Sequence, residues 1–75
     1  MRATKTDLVL CLKNDGYEAS LERRKIYRVV PDRGAAADAL IRVIDESGED
    51  YLYPADFFAP MRLPAALRRR VLAAV

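Results

Sequence analysis

Four of the six aromatic side chains of this 75-residue chain fall in one stretch, YLYPADFFAP, from Tyr51 to Pro60. Two prolines, Pro54 and Pro60, rule out an uninterrupted helix there, because proline lacks the backbone N–H and its ring clashes with the preceding turn. Just upstream, ESGE (Glu46–Glu49) centres Ser47-Gly48 between two apolar runs, which is a hairpin signature. LIRVID (Leu40–Asp45) then reads as one strand and DYLYP (Asp50–Pro54) as its partner, ended where Pro54 can no longer donate to a ladder. A chain of this size buries only ~60% of its unfolded surface, so the cluster must supply core, docking surface or both. Leu52 and Phe58 are expected to point inward, and the tyrosines to sit half-exposed with their hydroxyls in water.

The remaining segments follow the same logic. Leu8–Leu12 is a continuous apolar run bounded by KNDG, which suits a buried strand. KIYRVVPD (Lys25–Asp32) supplies Ile26, Tyr27, Val29 and Val30, all strand formers, before Pro31-Asp32 closes it. RGAAADA (Arg33–Ala39) reads as a loop, with one helical turn as the alternative, since alanine favours helix but the stretch is too short to stand alone. LPAALRRRVLAAV ends the chain with Pro64 suited to a first helical position. In the expected helix, roughly residues 64 to 74, Leu67, Val71 and, just past its end, Val75 fall at four-residue spacing, with Ala74 beside them, as a stripe laid on the strands. Short strands with turns every ten residues or so indicate a single small all-β domain, residues 1–63, plus the terminal helix, residues 64–75.

Composition narrows the chemistry. There is one cysteine and no histidine, so an intramolecular disulfide, the usual zinc sites and the commonest general base are all excluded. No glycine-rich phosphate loop is present. The expectation is a non-enzyme without cofactor or metal. Cys11, inside an apolar strand, is expected to be a buried, inert thiol. No run of 18 apolar residues suggests a membrane span, and the N-terminal apolar run is too short for a signal peptide. An unpaired thiol without such a signal suggests the cytoplasm. The net charge of +2 is not by itself a nucleic-acid footprint. Asp45, Glu46, Glu49 and Asp50 lack calcium-loop spacing and read as a solvated hairpin tip.

SGEDYLYPADFFAP resembles the end of an SH3 domain, where a hairpin glycine precedes G-Y-[IVF]-P-[SA]-N-[YF]-[VF]. Gly48 lies six residues before Pro54, the family's spacing, and Ala55, Asp56 and Phe57 stand at its short 3₁₀ turn. GYEASL (Gly16–Leu21) is similar to the tail of the first SH3 motif, and LERRKIYRVV to its next strand. The likeness spans about Leu8 to Leu63 and implies a five-stranded small barrel of the prokaryotic SH3-like kind. It does not imply the family's polyproline ligand: the groove tryptophan position falls at Ala39 and the first groove tyrosine at Asp15.

Two functional readings follow. In the first, the chain is a small interaction or adaptor module that binds a protein or peptide on an aromatic shelf. Tyr17, Tyr53 and Phe57 give apolar contact, Pro54 holds the turn rigid, and Asp15 and Glu18 face a basic partner. In the second, Arg23, Arg24, Lys25, Arg68, Arg69 and Arg70 bind nucleic acid, although neither basic run contains the aromatics that usually stack on bases. The terminal stripe offers a homodimer contact if it does not fold back.

Overall fold

A computed structural model describes residues 8–74. Strands dominate: β1 (Leu8–Cys11), β2 (Ile26–Arg28), β3 (Leu40–Ile44), β4 (Asp50–Pro54) and β5 (Phe58–Met61), with short helix α1 (Arg33–Ala37), a 3₁₀ turn at Ala55–Phe57, and terminal helix α2 (Ala65–Ala74). One antiparallel sheet has the order β2-β1-β5, and a second pairs β3 with β4. A single bridge, Val29 to Val43, joins them. The running order is therefore β5-β1-β2-β3-β4, with β4 and β5 at its two ends. Pro60 sits on an end strand, the position at which a sheet tolerates proline.

The β3–β4 hairpin is closed by its own chemistry. Asp45 N–H donates to the Glu49 carbonyl and Gly48 N–H to the Asp45 carbonyl, both at 3.0 Å. Gly48 has φ +85°, so the turn needs a residue without a Cβ penalty. A bulge in the other sheet lacks that provision. Arg24 N–H donates to the Cys11 carbonyl, and Cys11 N–H donates to the Lys25 carbonyl, so two residues face one. Arg24 takes φ +69° where such bulges favour glycine.

The core lies between the sheets. Val9, Cys11, Tyr27 and Phe58 enter from one side and Val43 and Tyr53 from the other, while Leu21 folds in from the long loop between β1 and β2. Each fully buried aliphatic side chain here contributes roughly 1.5–3 kcal/mol. Cys11 is buried, and desolvation pushes its thiol pKa up.

Three elements of the fold differ from, or decide between, the sequence expectations. First, Leu52 is 41% exposed and Tyr53 only 3%, the reverse of the expected facing. Tyr53 is the one buried residue of β4, and its hydroxyl finds a buried partner there, the Asp45 carboxylate. Second, RGAAADA takes the alternative reading and holds a helix of five residues, because the Asp32 carboxylate accepts from Ala35 N–H at 3.0 Å and caps it. Third, α2 buries no residue. Leu67 is exposed, and Arg68, Val71 and Leu72 are half-buried, so the inward face follows three- and four-residue steps from Arg68, not from Leu67. Val75 and residues 1–7, which fall within the expected stripe and strand domain, lie outside the described residues.

Candidate functional site: an aromatic shelf beside an acidic hairpin

The long loop after β1 is folded back by local hydrogen bonds. Asn14 Nδ2 donates to the Leu21 carbonyl at 3.0 Å, and Leu21 N–H and Ser20 N–H both donate to the Tyr17 carbonyl at 2.9 Å. The Ser20 carbonyl accepts from Glu46 N–H at 3.0 Å, fastening the loop to the hairpin. Leu12 N–H reaches the Phe57 carbonyl at 2.7 Å, fastening its start to the 3₁₀ turn. These ties bring together residues that are distant in sequence.

Tyr17 consequently stands edge-on to Tyr53, with ring centroids 5.0 Å apart and planes at 87°, and to Phe57 at 6.0 Å and 70°. Such edge contacts contribute about 0.5–1.5 kcal/mol each beyond burial. Tyr53 continues inward to Phe58, and Phe58 to Tyr27. A ladder of rings thus runs from the surface through the core. Of the expected shelf residues, Tyr17, Tyr53 and Phe57 do converge, but Tyr53 lies beneath Tyr17. It holds the shelf up and presents almost no surface of its own. Pro54 and Phe57 are half-buried, and Asp15 and Glu18 are exposed on the loop.

The open apolar surface is built instead by Tyr17, Tyr51 and Leu52, which are 41%, 50% and 41% exposed. All three line one depression of about 330 Å³, together with Ser20, Asp45, Ser47 and Tyr53. Tyr51 and Leu52 were missed because adjacent strand residues are expected to face opposite ways. Here both reach the same depression at a strand on the end of the sheet order.

The acidic turn is the expected solvated tip at Glu46, Glu49 and Asp50, which are exposed, but not at Asp45. Asp45 is 6% exposed and accepts from Ser47 N–H at 2.9 Å, Ser47 Oγ at 2.6 Å and Tyr53 Oη at 2.5 Å. Desolvation works to raise its pKa, but the hydrogen bonds from Ser47 and Tyr53 outweigh this and leave it below the ordinary value. Glu46 is fully engaged as well: Lys25 Nζ lies 2.7 Å from Oε2, and Tyr27 Oη donates to that same oxygen at 2.5 Å. These two donors, Lys25 first, lower the Glu46 pKa.

Charge is strongly segregated along the chain. Residues 14–22 and 45–61, the segments that meet at the shelf, hold eight of the eleven carboxylates and none of the thirteen lysines and arginines. Two cations from elsewhere reach their edges: Lys25 to Glu46, and Arg42, which bridges Asp32 at 2.9 Å and Asp50 at 3.2 Å. Of the residues proposed for nucleic acid, Lys25 is thus already paired, Arg23, Arg24, Arg69 and Arg70 are exposed, and Arg68 is half-buried. Among the described residues no group of histidine, cysteine, aspartate and glutamate is arranged to hold a metal ion, and no helix is long and apolar enough to cross a membrane. No family model, curated protein or solved structure matches this chain.

Proposed function

We propose that the chain is an SH3-like interaction module of the cytoplasm, which docks a basic partner chain on the shelf formed by Tyr17, Tyr51 and Leu52. The strand order, the long loop between β1 and β2, and the 3₁₀ turn that follows Pro54 support the SH3-like reading. The observation that carries the docking reading is the coincidence of three exposed apolar side chains in one depression with a carboxylate-rich surround that Lys25 and Arg42 reach only at its edges. Apolar area supplies affinity there, and the carboxylates select the sign of the partner and speed its approach. Asp15 and Glu18 face the partner from the loop, and Pro54 fixes the turn that carries Phe57.

Selection from a random peptide display library tests this. The wild-type chain should enrich sequences rich in lysine or arginine with apolar residues between them. The Tyr17→Asp and Leu52→Asp variants, both altered at exposed positions, should lose that enrichment while keeping their fold. A library with no enrichment, or one enriched equally by the variants, would overturn the reading. Binding of nucleic acid through Arg23, Arg24, Lys25 and Arg68–Arg70 is the rival outcome, recognised by steep weakening of affinity as salt rises.

A further inference from the structure

The hydrogen-bond register makes β4 an open edge. In an antiparallel ladder, residues alternate between exchanging both backbone bonds with their partner and turning both groups the other way. Asp45 N–H bonds the Glu49 carbonyl at one end of the hairpin, and Ala55 N–H bonds the Ala39 carbonyl at the other. Between them the bonded pairs are Val43 with Tyr51 and Ile41 with Tyr53, and Arg42 with Leu52 is a turned-away pair. The Arg42 carbonyl accepts from Val30 N–H at 2.9 Å, on the β2 side, as this parity requires. Leu52 N–H and C=O therefore point outward from the opposite edge, where no described strand pairs with β4. Edges of this kind are normally blunted by charge or proline. Here Asp50 and Pro54 bound a short window, and between them the side chains of Tyr51 and Leu52 are exposed.

We infer that the partner of this module is an extended cationic segment that adds a strand alongside β4, pairing its backbone with Leu52. The inference rests on the docking reading above and specifies its chemistry. A paired strand alternates its side chains, so one set meets the depression lined by Tyr17, Tyr51 and Tyr53. The other set shares the face of Leu52 and Asp50 and can carry lysine or arginine toward Asp50, which Arg42 also binds at 3.2 Å, in a stretch with no lysine or arginine of its own from residue 45 to residue 61. Main-chain bonds then give affinity, and the depression and carboxylates give specificity. A second copy of this chain is a poorer fit at the same edge, because two such edges would bring their carboxylate-rich surrounds together.

The test uses the full chain, labelled with ¹⁵N, and short synthetic peptides of alternating lysine and valine. The unmodified peptide should shift the amide resonances of Tyr17, Ser47, Tyr51 and Leu52, and should slow hydrogen exchange at Leu52 N–H by at least about tenfold. Two further peptides carry backbone N-methyl groups, on the lysines in one and on the valines in the other. Only the set facing β4 can disturb pairing, so one of the two should bind at least about tenfold more weakly and the other should not. A peptide with glutamate in place of lysine should not bind. If both methylated peptides bind as well as the parent and Leu52 exchange is unchanged, strand addition is wrong while docking on the shelf survives. Failure of the lysine peptide to bind overturns the inference; failure of the display library as well overturns the docking reading beneath it. Protection of Leu52 N–H in the free chain that grows with protein concentration would show a second copy on the edge, and would also overturn it.

Discussion

The hydroxyl of Tyr53 donates to the Asp45 carboxylate at 2.5 Å, eight residues back along the same hairpin and inside the core. This bond explains why the strand turns a tyrosine inward and a leucine outward. Removing it with Tyr53→Phe leaves a buried carboxylate short of one donor, and should cost about 1–3 kcal/mol in urea unfolding. Leu52→Ala, one residue away but exposed, should fall within about 0.5 kcal/mol of wild type. Equal costs for the two would show that the facing of β4 is misassigned.

The same bond sets an acid limit. Asp45, Asp32 and Glu46 all have folded pKa values below their ordinary ones. A depressed carboxylate stabilises the fold fully above its unfolded value and progressively less as pH falls through the folded one. Urea midpoints should therefore be nearly flat from pH 7 to about pH 5 and fall below about pH 4. The Asp45→Asn variant should be less stable at neutral pH and should show a shallower acid decline.

At high pH the sign reverses. Desolvation, followed by the bond to Asp45, lifts the Tyr53 pKa from 10.0 to about 12, and desolvation with the bond to Glu46 lifts Tyr27 still further. A raised tyrosine contributes stability fully below its unfolded pKa, and that contribution is lost as pH climbs toward the folded one. Tyrosinate absorbance should show Tyr27 and Tyr53 failing to ionise near pH 10 in the folded chain, and doing so only as the fold is lost. Four tyrosines titrating together near pH 10 would contradict the buried ladder.

Two left-handed positions should respond oppositely to substitution. A Cβ added at Gly48 meets nothing within 4 Å, so Gly48→Ala carries a backbone cost alone, about 1–2 kcal/mol. Arg24 already carries that penalty at φ +69°. Arg24→Gly should relieve it, with part of the gain offset by the freer unfolded chain, for a net stabilisation of up to about 1 kcal/mol. Thermal or urea midpoints of the two variants decide both.

Burial should also silence the only thiol. Cys11 is fully enclosed, with its Sγ 3.2 Å from the Lys13 carbonyl, and its pKa is raised chiefly by desolvation. Iodoacetamide should label it slowly in the native chain at pH 8 and quickly in urea, as mass spectrometry would show. Rapid native labelling would mean that β1 opens on its own.

Strands β1 to β4, the Gly48 turn and the proline end of β4 were legible in sequence, because each depends on local dihedral preference and short-range pattern; β5, with Pro60 inside it, was not. Leu8 to Leu12, LIRVID and DYLYP announce extended chain through their composition, and Gly48 announces its turn through the φ that only glycine takes without strain. Tertiary structure alone decided the facing of β4, the burial of Asp45 and the gathering of Tyr17, Tyr51 and Leu52 around one depression. Each of these turns on partners distant in sequence: the loop folded onto the hairpin by Ser20 and Glu46, and the core depth that gives a tyrosine hydroxyl its carboxylate. Local pattern carries no information about such partners. The facing of α2 fell to the same limit, since which of its residues lose solvent depends on what they meet and not on their spacing.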